Sequence, residues 1–144
     1  MLRRHLFALL IVPLAGCMTP PTDLDRSMTR STADRHYVVA IRPLTEPIAI
    51  NQMHSWEVQV TTSAGAPVQH AHIDVDGGMP QHGHGLPTQP RVTRELGDGR
   101  YLLEGMKFSM PGWWELKLQV RTTDGPADRV TFNRVIELPG APRT

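Results

Sequence analysis

Trp114-Glu115-Leu116-Lys117-Leu118-Gln119-Val120 is the stretch on which the fold turns. In an extended chain Trp114, Leu116, Leu118 and Val120 fall on one side and Glu115, Lys117 and Gln119 on the other, because successive strand side chains point to opposite faces. Alternation of this kind predicts a strand with one face in a core. The same period of two runs through Trp56-Glu57-Val58-Gln59-Val60 and Ile73-Asp74-Val75-Asp76. Residues 37–42, 101–103 and 130–138 are also rich in β-formers, and Gly97-Asp98-Gly99 and Asp124-Gly125-Pro126 supply turn signals between runs. No segment carries a 3.6-residue apolar stripe over three turns. About seven short strands in roughly 100 residues predict an all-β, immunoglobulin-like antiparallel sandwich over residues 36–144. A small open barrel is the competing architecture. Trp56 and Trp114 are expected at the centre of the core, and Trp113, pointing the other way, at the surface.

Composition bounds the function from outside. The chain has 144 residues, which suits one domain, and a formal net charge of +1, which excludes a strongly basic nucleic-acid binder. Its single cysteine, Cys17, excludes an internal disulfide framework and any zinc site built on several thiolates.

The N-terminus reads as an export signal. Met1-Leu2-Arg3-Arg4 is basic, Leu6-Phe7-Ala8-Leu9-Leu10-Ile11-Val12 is apolar, and Leu14-Ala15-Gly16-Cys17 closes on small residues. The last four residues resemble the lipobox of bacterial lipoproteins, which implies cleavage before Cys17 and acylation of its thiol. On this reading residues 1–16 are a lipoprotein signal peptide and residues 17–35 an acylated cysteine with a flexible, polar tether. The protein is then held on the membrane by lipid, on the periplasmic or extracytoplasmic side of the cell envelope. Met18 is not the aspartate associated with inner-membrane retention, so the resemblance favours the outer membrane.

Histidines and methionines concentrate the remaining chemistry. If residues 70–76 are extended, His70, His72, Asp74 and Asp76 share one face, where imidazoles at i and i+2 can converge on an ion. A solvated outer face explains the same pattern. Gly77-Gly78-Met79-Pro80-Gln81-His82-Gly83-His84-Gly85 places His82 and His84 two apart among glycines, and Met106-Lys107-Phe108-Ser109-Met110 follows downstream. Imidazole nitrogens joined by thioether sulfurs suit a soft ion such as Cu(I), although core filling is the ordinary role of a methionine and the better reading of Met106. A glycine-rich turn with incidental histidines accounts for the same residues. No G-x-S-x-G elbow, H-E-x-x-H pair or phosphate-cradling loop is present, so no enzymatic activity is expected.

Met79-Pro80-Gln81-His82-Gly83-His84-Gly85-Leu86-Pro87, Gly97-Asp98-Gly99-Arg100-Tyr101, Gly105-Met106-Lys107-Phe108 and Met110-Pro111-Gly112-Trp113-Trp114-Glu115-Leu116 together resemble the YtkA-like domain. That family of small bacterial envelope proteins is similar in pattern to the FixH group, associated with assembly of copper-containing oxidases. The resemblance covers about residues 54–120 and implies a β-sandwich. By similarity to periplasmic copper carriers it implies Met79, His82, His84 and Met110 as metal ligands, with His70 and His72 as a second layer or second site. Partners would be the membrane, through the lipid on Cys17, and a copper-handling or oxidase-assembly protein, with no nucleic acid. FixH proteins carry a transmembrane helix where this chain has a lipobox. The alternative is a non-catalytic immunoglobulin-like interaction module without metal. The geometric requirement of the copper reading is that residues 79–84 and 106–110 meet at one end of the sandwich.

Overall fold

The structure, a computed structural model, describes residues 20–138. The signal peptide expected at 1–16 and the acylation expected at Cys17 lie outside the described residues. Nine strands form: β1 (Thr29–Ser31), β2 (Tyr37–Pro43), β3 (Met53–Thr62), β4 (His72–Met79), β5 (His84–Gly85), β6 (Arg91–Gly97), β7 (Arg100–Lys107), β8 (Gly112–Arg121) and β9 (Asp128–Ile136). They make a five-stranded sheet in the order β1-β2-β3-β7-β6 and a four-stranded sheet in the order β5-β4-β8-β9. Every pairing is antiparallel. The expected all-β sandwich is therefore present, with two more strands than the seven expected from periodicity. The strands not named from the sequence are β1, of three residues, β5, of two, both too short to show an alternation, and β6, which buries no residue fully and slips register twice against β7.

The deciding stretch behaves as its pattern requires. Trp114, Leu116, Leu118 and Val120 on β8 are each no more than 2% exposed, while Lys117 and Gln119 face solvent. Facing them across the sandwich, Trp56, Val58 and Val60 of β3 are fully buried. Each such side chain contributes about 1.5–3 kcal/mol by leaving water. Trp113 differs from expectation. It is half-buried rather than open, because its indole N–H donates to Asn133 Oδ1 of β9 at 3.0 Å.

The register defines two ends. β4 begins opposite Arg121 and runs until Gly78 lies opposite Glu115, while Ile136 near the end of β9 sits opposite Gly112. One end therefore gathers the end of β2, the start of β3, the end of β4, β5, the β7–β8 connection and the end of β9. Met53, Met79, Met106 and Met110 belong to it and make it the methionine pole. The opposite pole carries the β1–β2 turn, the start of β4 and the β8–β9 turn.

The ordered chain starts earlier than residue 36. β1 pairs with β2, Thr32 is buried, and the preceding segment lies along the open edge of β9. Ala33 donates its amide to the carbonyl of Arg129 at 2.8 Å, the Arg30 guanidinium reaches the carbonyl of Thr131, and the Asn133 side chain donates to the carbonyl of Asp25 at 3.0 Å. Polar composition suggested a free tether here. The segment instead exchanges backbone and side-chain hydrogen bonds with an edge strand, a covering that composition does not reveal.

Candidate metal centre

The methionine pole is built by β4 turning back on itself. At its end the Met79 carbonyl accepts the amides of both His82 and Gly83 at 3.0 Å, closing the turn. Gly83 takes φ +67°, a left-handed conformation costly to any residue with a Cβ. The chain then returns as β5, with His84 opposite Met79 and Gly85 opposite Gly78. A Cβ on Gly78 would stand 2.2 Å from the carbonyl oxygen of His84, so only glycine lets β5 lie this close. The turn presents both imidazoles to solvent, their ring centroids 5.5 Å apart and tilted by 51°.

The second contribution comes from the β7–β8 connection. Phe108 is fully buried and meets the Trp114 ring edge-on at 5.3 Å. Met110, half-buried, packs on the core, and its carbonyl accepts the Trp114 indole N–H at 3.2 Å. The Met79 methyl comes within 2.8 Å of the position a Cβ would occupy on Gly112, two residues from Met110. The segments carrying Met79, His82 and His84 and that carrying Met110 thus share one pole. This is the geometric requirement drawn from the sequence.

The four residues are not equally placed. His82 and His84 are exposed and Met110 is half-buried, but Met79 is only 1% exposed and fills the core. Met106 is fully buried, the packing role expected of it.

His70 and His72 lie elsewhere. The eight residues of β4 separate His72 from Met79 by about 23 Å at the rise of a strand. They cannot form a second layer around His82 and His84. Nor do the two share a strand face, because His70 precedes β4 in a left-handed conformation, φ +54°. Its amide donates to both Glu95 carboxylate oxygens at 3.0 and 3.2 Å, and its Nδ1 lies 3.2 Å from the same group. His72 Nε2 lies 3.0 Å from Asp74 Oδ1, and Asp74 pairs in turn with Arg121. Period-two arithmetic fails at residue 70 because the strand has not begun.

A cluster that sequence reading missed stands at the opposite pole. Asp34, His36 and Asp128 bring one ligand atom each to within 4.8 Å of one another. Asp128 has a fully buried side chain, and its oxygens accept the amides of Asp34 at 3.1 and 3.2 Å, His36 at 3.2 Å and Arg129 at 2.8 Å. His36 Nδ1 adds a fifth contact at 3.2 Å. Burial pushes the Asp128 carboxyl up, but hydrogen bonds from Thr32 and from the Asp34, Arg129 and His36 amides outweigh it and hold the group well below the usual carboxylate range. Two carboxylate oxygens offer about four lone-pair sites, and three backbone amides engage both oxygens. The arrangement works as a latch fastening the β1–β2 turn to β9. Its members are some 90 residues apart in the chain, a separation no local motif signals.

Comparison with known proteins places this geometry in context. The family model for YtkA-like proteins matches residues 33–119, more than half of the chain. Among solved structures, a DUF4426 family protein from Pseudomonas aeruginosa PAO1 superposes with a TM-score of 0.55 at 18% identity, covering 76% of this chain and 96% of that one. At that identity the likeness is one of fold. There is no match among curated proteins.

Proposed function

Because the chain belongs to the YtkA-like family, we propose that it is a lipid-anchored protein of the cell envelope that binds copper at its methionine pole and passes it on without catalysing a reaction. The observation that carries this reading is the convergence of two stretches distant in sequence. His82 and His84 stand 5.5 Å apart, ring to ring, on a turn whose Met79 methyl lies where a Cβ on Gly112 would press, just beyond Met110. Paired imidazoles beside thioethers make a soft donor set suited to Cu(I). A site free of thiols also suits an oxidising compartment. Copper is cargo here, taken up by His82, His84 and Met110 at the surface, with Met79 swinging out from the core to join them. Its three rotatable bonds make that motion feasible. The recipient or donor would be a copper-handling or oxidase-assembly protein at the membrane that holds the lipid on Cys17, with the outer membrane favoured.

Titration of the Cys17→Ser chain with Cu(I) against a competing chelator tests the proposal. Stoichiometric binding is expected, weakened about tenfold or more in His82→Ala and in Met110→Ala, a change of about 1.4 kcal/mol each. Wild-type affinity in both variants would refute it.

The burial of Met79 favours a second reading, an immunoglobulin-like interaction module whose Gly-His-Gly-His turn only shapes a loop. The same titration separates the two, since the module takes up no copper.

A further inference from the structure

The large hydrophobic side chains left open to solvent are not scattered. Among the described residues they are Leu44, 45% exposed, Met53, 63%, and Leu138, 57%. Leu44 follows β2, with its amide on the carbonyl of Ser55. Met53 opens β3, opposite Lys107. Leu138 lies two residues past Ile136, the partner of Gly112. All three therefore stand on loops or strand ends of the methionine pole. None lies at the pole of Asp128 and His70.

The path of the N-terminal segment supplies the direction. Traced backwards, it meets β9 at Arg129 through Ala33, at Thr131 through Arg30 and at Asn133 through Asp25. These contacts advance steadily from the Asp128 end of β9 towards the end that carries Ile136 and Leu138. As far as Asp25 the chain thus runs towards the methionine pole, and a turn at Thr22-Asp23 follows, with Leu24 and Pro20 half-buried. Cys17 lies eight residues before Asp25, a reach of at most about 29 Å when fully extended. Presenting the opposite pole to a bilayer would first require the tether to retrace β9 from Asn133 to Asp128, about 17 Å at strand rise.

We propose that the methionine pole is the membrane-facing end of the protein, seated on the lipid surface by Leu44, Met53 and Leu138. This rests on the acylation of Cys17 in the proposed function. It goes beyond that reading by fixing which way the domain faces. A copper site at this pole opens towards the bilayer, so its exchange partner is one embedded in the membrane or lying flat upon it, not one approaching from the bulk compartment. The unpaired apolar rim then has an occupant, the interfacial region of the lipid, where leucine and methionine side chains leave water.

The test uses the full, lipidated chain reconstituted in protein-free vesicles of phosphatidylethanolamine and phosphatidylglycerol containing a fluorescence-quenching lipid. Cys17 is blocked by acylation, so an environment-sensitive dye can be attached singly at Met53→Cys, at Leu44→Cys, or at Asp124→Cys on the opposite pole. Dyes at 53 and 44 are expected to shift to shorter wavelength and to be quenched several-fold more than the dye at 124. Adding Leu44→Ser and Leu138→Ser to the Met53→Cys chain should reduce its quenching. Equal quenching at both poles, or more at 124, overturns the proposal while leaving the anchor intact. Shielding of position 53 in native membranes but not in these vesicles also overturns it, by placing a protein rather than lipid on this end. The anchor is read separately by fractionation. A chain that stays soluble, whether Cys17 is present or replaced by serine, removes the anchor and this orientation with it.

Discussion

The indole N–H of Trp114 donates to the carbonyl of Met110 across 3.2 Å, so a fully buried residue of the core also holds the backbone that carries a candidate ligand. Trp114 leads the alternating run that defines β8, and its ring meets Phe108 edge-on. Core and site are coupled through this one side chain. Trp114→Phe keeps an aromatic ring but removes the donor and leaves a void. A loss of about 1–3 kcal/mol in stability is expected, from one hydrogen bond and incomplete repacking. Urea denaturation measures it. Copper affinity should fall further than in a core variant remote from Met110, such as Val39→Ala, which serves as the comparison. An equal effect of the two on copper would deny the coupling.

Two glycines near the site should respond differently to alanine. Gly83 takes φ +67° with nothing within 4 Å of an added methyl, so Gly83→Ala meets backbone strain alone, about 1–2 kcal/mol. At Gly112, φ +122°, the methyl would also press on Met79 at 2.8 Å. Gly112→Ala should therefore cost more than Gly83→Ala and shift the Met79 methyl resonance. A smaller cost at 112 would contradict the contact.

The Asp128 latch predicts a pH dependence with a definite sign. Its carboxyl is held below the ordinary range in the folded protein. The stability it contributes is therefore complete above the unfolded value of about 4 and is lost progressively as pH falls below that. Urea midpoints measured from pH 7 to pH 2.5 should decline in acid, and Asp128→Asn should flatten that decline. At pH 7 the same substitution is expected to cost about 2–4 kcal/mol, because an amide cannot accept the full set of backbone N–H groups. It should also loosen the β1–β2 turn, seen as faster hydrogen exchange at the amides of Asp34 and His36.

What could be read from the chain alone follows the physical range of each signal. The run at 114–120 announces a half-buried strand because its pattern repeats over more than one pleat. β5 has two residues and β1 three, so neither can display a period, and each exists only because a neighbouring strand offers it a partner. The meeting of the 79–84 turn with Met110 could be stated only as a requirement, since it depends on sheet order. The pairing of His70 with His72 failed for a local reason: the left-handed backbone at 70, held by Glu95, leaves no trace in composition. The latch at Asp128 joins residues from opposite ends of the domain, beyond the reach of any spacing rule.

The length of β4 makes a negative prediction. His70→Ala and His72→Ala should leave Cu(I) affinity unchanged within about twofold, because the strand holds them some 23 Å from the 82–84 turn. His70→Ala should still lower stability slightly through the exposed contact with Glu95. A tenfold loss of copper affinity in either variant would place the site at the wrong pole.

Met79 decides between the two readings of the methionine pole. As a core residue at 1% exposure it can be replaced by leucine with little change in volume, and such swaps usually cost less than about 1.5 kcal/mol. Met79→Leu therefore removes the sulfur while keeping the packing against Gly112. If the thioether turns outward to bind copper, affinity should fall about tenfold with the melting temperature of the metal-free protein nearly unchanged. Added Cu(I) should then raise the melting temperature of the wild type more than that of the variant, because a ligand stabilises the native state in proportion to its affinity. If Met79 serves only as packing, both proteins will show the same copper affinity, and the donor set reduces to His82, His84 and Met110. A wild-type chain whose melting temperature ignores copper would leave the sulfur no role beyond the core and move the weight to the interaction module.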